Sequence, residues 1–409
     1  MIKRIIAIII LFISALPISK SQDYGFIPQT LSDSSQISIM TSAPWPKQVY
    51  AVFGHSAMRV YDPVTNIDWV FNYGVFDFNK PNFIYRFMAG ETDYMVIAID
   101  YRHYVKEYEA RGINVFEQVV RLDKDEKQRI WQFLLKNSRT ENRVYRYNIF
   151  YNNCTTKLTD ILESNINGTI EYKEDYKKQT FRDLIHECVQ QQPWLEFGID
   201  LIIGSGADKT ITVREKMFLP AYQMNTFDHA IIKNADGTIE PLVQTKKIAI
   251  AANQTELDEV DNHNIFSPII VGFILLILSG IFTVYDYKKK RVASTIYDTI
   301  LFLTAGIAGS IIFFMLFFSV HPCTNNNWNL IWLNPLQLIF ALLFFVKPLT
   351  KCVYYYHFIN FVVLILLLSA WSLIPQKLEI AFIPYILAIA LRSGVNIYRK
   401  IKKLKEKAD

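Results

Sequence analysis

Cysteine is scarce in this chain, four in 409 residues, and no two of them form a C-x-x-C pair. None of the seven histidines stands at H-x-x-x-H spacing from another. Zinc ligands recur at such short spacings, so these absences argue against a metal centre. The chain also shows no internal repeat. Its basic residues cluster only in short groups beside apolar runs, which excludes nucleic acid as a partner.

Long apolar runs are absent from one half and abundant in the other. Hydrophobic residues make up 51% of the chain, but the division near Asn264 separates two different compositions. The first 21 residues have a basic start (Lys3, Arg4), an apolar core from Ile5 to Leu16 and the small-x-small stretch Ser19-Lys20-Ser21. A run of about a dozen apolar residues is too short to span a bilayer and reads as a cleavable signal peptide, residues 1–21. No cysteine follows it, so the mature chain is not expected to be a lipoprotein itself. After an outer domain (23–245) and a polar, acidic tether (246–266) comes a membrane domain (267–398) and a basic tail (399–409). Five stretches approach the roughly 20 residues a span requires: 267–285, 296–320, 331–346, 354–374 and 380–398. The third is interrupted by Asn334, Pro335 and Gln337. With the outer domain outside, the inner segments 286–295, 347–353 and the tail hold twelve Lys and Arg, and the two outer connections hold only Lys377. That asymmetry predicts a cytoplasmic C-terminus.

The outer domain reads as α+β. Strands are predicted over Val49–Tyr61, Ile67–Phe78 and Tyr94–Tyr101 from their alternation and β-branched and aromatic content. Helices are predicted over 124–137, capped by Asp123 with Glu126, and over 181–191, capped by Thr180 with Asp183. "RVYRYNIF" (Arg143 to Phe150) reads as a connector or short strand.

Chemistry concentrates at "FGHSAMRV" (Phe53 to Val60) and "YNNCTTKL" (Tyr151 to Leu158). Asn152 or Asn153 can cap a helix whose inner face is Leu158, Ile161 and Leu162. Cys154 then lies in the first turn, where backbone N–H groups and the positive end of the helix dipole favour a thiolate. An imidazole beside it would complete an activated pair. On residues alone, Cys154 stays open between a nucleophile, one half of a single disulfide with Cys188 or Cys323, and an inert buried thiol. "NCT" is also a glycosylation sequon. His55 stays open between a core histidine and a catalytic base, although its small neighbours Gly54 and Ser56 leave the ring accessible.

These stretches, with "FNYGVFDF" (Phe71 to Phe78), "GIDLIIGSGADK" (Gly198 to Lys209), "MFLP" (Met217 to Pro220) and the multi-span second half, resemble the Bacteroidota membrane proteins that have the Lnb N-terminal periplasmic domain. The resemblance implies a lipoprotein N-acyltransferase of the inner membrane with its N-terminal domain periplasmic. The histidine-then-cysteine order is also similar to permuted papain-like folds, the NlpC/P60 and lecithin:retinol acyltransferase groups. On that basis Cys154 is the expected nucleophile, His55 the base and Asn72 the residue that orients the ring. Asn153 is expected to face substrate. The asparagines of "HPCTNNNWNLIWLNP" (His321 to Pro335) are expensive in lipid and are expected to face a cavity or the catalytic domain, with Asn329 or Asn334 towards substrate, and "FGIDLIIG" and "MFLP" either dip towards lipid or are ordinary core segments. The implied partners are a phospholipid acyl donor and a diacylated lipoprotein acceptor, with no metal or soluble cofactor. A membrane-tethered cysteine peptidase or amidase, and a non-catalytic receptor or assembly factor, are the alternatives.

Overall fold

The computed structural model describes residues 28–77, 81–252, 266–289 and 294–405. The expected signal peptide, most of the expected tether and the end of the tail lie outside the described residues. Ten strands are described: β1 (Gln36–Ser42), β2 (His55–Asp62), β3 (Ile67–Val75), β4 (Asp93–Asp100), β5 (Val115–Val120), β6 (Val144–Arg146), β7 (Thr169–Glu171), β8 (Ile231–Lys233), β9 (Ile239–Pro241) and β10 (Val243–Ile250). Seven form one antiparallel sheet in the order β10-β5-β1-β2-β3-β4-β6. The other three make a small sheet in the order β7-β8-β9.

Helices of this half are α1 (Phe83–Ala89), α2 (Tyr101–Arg111), α3 (Lys124–Asn137), α4 (Cys154–Asn165), α5 (Phe181–Val189), α6 (Pro193–Ile202), α7 (Val213–Lys216) and α8 (Pro220–His229). One face of the large sheet, with Ile37, Ile39, Met58, Val60 and Phe71, packs on Trp131 and Leu134 of α3 and on Leu158 and Leu162 of α4. Its other face, with Met40, Ala57 and Val70, packs on Tyr104 and Tyr108 of α2. Each fully buried apolar side chain contributes about 1.5–3 kcal/mol, so α4 is firmly seated across β2 and β3. The residues at its first turn inherit that rigidity.

The capping signals acted as the sequence suggested. Asp123 accepts from the Glu126 amide (2.7 Å) and Glu126 from the Asp123 amide (2.8 Å), starting α3. Thr180 and Asp183 do the same for α5. Two boundaries differ most. β2 begins at His55 because Val49–Ala51 is a 3-10 turn and Gly54 takes φ +75. The expected tether loses its first residues, since β10 pairs with β5 and carries the sheet to Ile250. The strand is an exposed edge with a polar sequence, so apolar alternation did not mark it.

The second half comprises α9 (Pro268–Lys289), α10 (Thr295–Phe317), α11 (Pro335–Leu343), α12 (Thr350–Ser369) and α13 (Ile383–Lys405). Four helices are long and apolar enough to cross a membrane: Pro268–Lys288, Thr295–Phe317, Lys347–Ser369 and Ile380–Ile401. The expected third span, 331–346, is a shorter and broken apolar stretch, Trp328–Leu343, between the second and third of these helices. Its α-helix has nine residues, about 14 Å of rise against a hydrocarbon core of about 30 Å. The reason is local: Asn334 stands at the cap and Pro335 at the first helical position, directly after a 3-10 turn at Trp328–Ile331. α11 lies antiparallel on α10, whose glycines admit its backbone. A Cβ on Gly306 would stand 2.1 Å from the Leu338 amide nitrogen, and one on Gly309 2.4 Å from that of Asn334.

The connections before α11 and before α13 both bond to the sheet-bearing domain. Val320 N–H donates to Ala89 C=O (2.9 Å), and Gln376 Nε2 donates to Ile203 C=O (3.1 Å). Together with the basic residues, this leads to a topological expectation. A reporter fused after Asn264 should behave as periplasmic and one after Asp409 as cytoplasmic. Both reporting the same side would refute the arrangement.

Candidate active site

His55 opens β2 and Asn72 lies on β3, the strand paired with it. Cys154 is the first residue of α4, which packs across both strands. His55 Nε2 meets Asn72 Oδ1 at 2.5 Å. That bond fixes Nε2 as the protonated nitrogen and leaves Nδ1 for the Cys154 thiol, to whose charge the ring is coupled. Three residues 17 and 82 positions apart in sequence thus converge as nucleophile, imidazole and amide.

The electrostatics follow from the pairing. Burial pushes the Cys154 thiol up, but the His55 charge and hydrogen bond, the Ser56 amide and the Thr155 hydroxyl outweigh it and bring the thiol down from 9.0 to about 7. Burial likewise opposes a charged His55, yet the Cys154 thiolate and the bonds to Cys154 and Asn72 hold its pKa above the ordinary value. The coupling favours an imidazolium–thiolate pair. Alkylation of Cys154 by iodoacetamide should therefore rise through a midpoint near pH 7, because only the thiolate reacts. In His55→Ala, burial acts unopposed by a cation and the midpoint should move above 9.0. An unchanged midpoint in that variant would show that the two residues are not coupled.

Gly74 borders the pair. It takes φ +93, and a Cβ there would stand 3.6 Å from Cys154 Cβ and 3.9 Å from His55 Cε1. The register of β3 against β4 shifts between Asn72 and Val75, so Gly74 lies in a bulge over the thiol.

Asn153 is the cap that fixes Cys154. Its Oδ1 accepts from the Thr155 and Thr156 amides at 2.9 Å each, and its Nδ2 donates to Ile149 and Phe218 C=O at 2.8 Å each. All its polar positions are engaged within the protein, so it positions the helix rather than contacting substrate. The same bonds occupy the second and third amides of α4, leaving the Cys154 amide as the helix-start donor. "MFLP" supports this cap from the core: Met217, Phe218 and Leu219 are buried, not turned to lipid.

Asn329 is also buried and faces the outer domain. Its Nδ2 donates to Asp200 C=O (2.8 Å) and its Oδ1 accepts from Trp332 Nε1 (2.9 Å). Asn327 Nδ2 donates to Leu201 and Ile202 C=O at 2.8 and 2.9 Å. These carbonyls end α6 and would lack helical partners, so asparagines from the membrane half cap a helix of the other half. Asn334 caps α11 against Gly309 and approaches neither Cys154 nor His55 in any bond it makes. "FGIDLIIG" is the docking helix itself, with Phe197 packed on Phe382 and Tyr385 (ring centroids 5.0 and 5.4 Å).

Beneath that junction, Arg182 donates to Asp208 (2.7 Å) and Asp200, and His186 Nε2 lies 3.0 Å from both Asp200 oxygens. His186, Glu196 and Asp200 offer atoms within 4.8 Å of one another, but Asp200 already balances Arg182, and the group is an ion-pair network. A recess of about 540 Å³ at the same junction is lined by Thr180, Asp183, Asp208, Trp371, Gln376 and Lys377, not by the Cys154 group. All four cysteines are free thiols.

Sequence reasoning missed Tyr145. Its hydroxyl is buried with no hydrogen-bond partner among the described residues. Burial, and then the charge of Cys154, raise its pKa, so it lies within electrostatic reach of the thiol. The available signal was the alternation of Tyr145 and Tyr147, one on β6 and one just after it, ahead of the cysteine.

Neither a curated protein nor a solved structure matches the chain. Two family models do match, in order along it: the Lnb N-terminal periplasmic domain over residues 27–187 and the Lnb transmembrane domain over residues 260–404. His55, Asn72 and Cys154 fall in the first and the apolar helices in the second. The chain therefore belongs to the Lnb family, membrane proteins with a periplasmic N-terminal domain.

Proposed function

We propose that this protein is a lipoprotein N-acyltransferase at the outer surface of the bacterial inner membrane, and that its catalytic domain is a permuted papain-like fold. The observation that carries the reading is the Cys154, His55 and Asn72 arrangement on a domain bonded to the outer ends of the spans. The histidine on a strand ahead of a cysteine at a helix start supports the permuted fold. A donor and an acceptor that are both lipid-anchored favour an enzyme held at the same surface, since tethering raises their effective concentration.

In the first step the Cys154 thiolate attacks a phospholipid ester carbonyl. A C–S bond forms, and the tetrahedral oxyanion is stabilised by the Cys154 amide and the Tyr145 hydroxyl. The C–O bond to glycerol then breaks, His55 donates its proton to the leaving alkoxide, and lysophospholipid departs. In the second step the α-amine of a diacylglyceryl-cysteine lipoprotein attacks the thioester. His55 accepts the amine proton, a C–N bond forms, and the C–S bond breaks to return the thiolate. Asn72 acts through His55 and is a positioning residue.

Incubation with phospholipid labelled in its acyl chain tests this reading. A hydroxylamine-sensitive label should appear on Cys154, and Asn72→Ala and Tyr145→Phe should each slow its appearance by on the order of 10²-fold. Asn72→Ala should also lose the pH 7 midpoint of alkylation, whereas Tyr145→Phe should keep it. Absence of any label on wild-type Cys154 would overturn the proposal.

A further inference from the structure

α1 is a helix with an apolar sequence and little to pack against. Ile84 is 75% exposed, Tyr85 60% and Phe87 47%. Its one charged side chain, Arg86, is turned to Asp93 (2.8 Å). In water such a patch would be costly, but α1 is fastened beside a span. The Tyr85 ring lies 5.8 Å from that of Phe314, and His321 Nε2 bonds Phe87 C=O at 2.6 Å. Phe314 is three residues from the end of α10, about 5 Å along its axis. The exposed rings of Phe313, Phe317 and Phe318 surround the same end. α1 therefore sits at the depth where aromatic side chains meet the headgroup boundary.

From there a chain of rings leads inward. Phe87 neighbours Phe83 (6.2 Å), Phe83 neighbours Phe76 (6.2 Å), and Phe76 neighbours Tyr94 (5.0 Å), which stacks on Tyr147 (4.1 Å). Phe76 follows Gly74, the residue over the thiol, by two positions, and Tyr147 feels the Cys154 charge. Both ends of the series are thus fixed, one at the outer end of a span and one at the nucleophile.

We propose that α1 and the Phe83, Phe76 and Tyr94 rings form the entry path by which one acyl chain of an outer-leaflet phospholipid leaves the bilayer and reaches Cys154. The proposal rests on the acyl-transfer reading and assigns to it the donor side of the site. Continuity with α10 selects a bilayer lipid as occupant over a soluble peptide or a second copy of the chain.

Full-length protein in nanodiscs of phosphatidylethanolamine provides the test. With a phosphatidylethanolamine carrying a diazirine in its acyl chain, Cys154→Ser should be cross-linked within 76–94. Cross-links confined to 268–405 would overturn the path. Separately, Ile84→Glu and Phe87→Glu should lower the ratio of Cys154 acylation by nanodisc phospholipid to acylation by water-soluble p-nitrophenyl acetate by about tenfold or more, because a carboxylate resists entering the interface. An unchanged ratio also overturns it. Should wild-type Cys154 take no acyl group from phospholipid while cross-links still map to 76–94, the acyl-transfer reading fails and the lipid-contacting surface stands.

Discussion

Cys154→Ser and His55→Ala should each reduce N-acylation by roughly 10⁴-fold or more, with the protein still in the membrane. A serine hydroxyl lacks the nucleophilicity of a thiolate held at about pKa 7. A cysteine without its imidazole loses the cation that outweighs its burial, and no other described base bonds the sulfur. The double variant should be scarcely worse than either single one, because the pair acts as a unit. The readout is acyl transfer to a lipoprotein substrate by purified protein. Full activity in Cys154→Ser would leave the Cys154 group without a catalytic role.

Arg182→Met should be the most destabilising change outside the active site. Arg182 is fully buried, and it donates to Asp208, to Asp200 and to the Ile203 and Gly204 carbonyls (3.2 Å each). Removing it leaves Asp200, itself 1% exposed, beside His186 alone. Breaking a buried pair from one side typically costs about 3–5 kcal/mol. The same loop bonds the membrane half, with Gly204 N–H donating to Cys323 C=O at 2.6 Å. Loss should therefore appear as a lower unfolding midpoint and as new protease cleavage within 193–210. Arg182→Met with Asp200→Leu should recover part of the loss, since the more deeply buried of the two carboxylates that Arg182 balances is then gone. Wild-type midpoint and cleavage in the single variant would show that the network does not hold the junction.

Much of the site could be read from local sequence. The Asn153 cap, the inner face Leu158, Ile161 and Leu162, and the Cys154 first turn follow from short-range rules that tertiary packing did not override. Other features depended on distant partners. β1 and β5 are short stretches whose place in the sheet is set by pairing with each other and with β2 and β10, which lie elsewhere along the chain. The roles of Asn327 and Asn329, and the bond from Asn153 to Phe218, could not be read locally, because each latches a segment far away in the chain. Polar residues at an apolar span reflect either substrate or a protein partner, and only the fold shows that Asn327 and Asn329 meet the end of α6. Asn334 and Pro335 did signal a broken third crossing, since a cap and a proline restart a helix where they stand.

The most direct measurement is the mass of a lipoprotein N-terminal peptide from cells lacking this protein and complemented with either the wild-type chain or Cys154→Ser. The account predicts an added N-linked acyl chain with wild type and a free α-amine on a diacylglyceryl cysteine with the variant. An N-acylated peptide in both strains would contradict it.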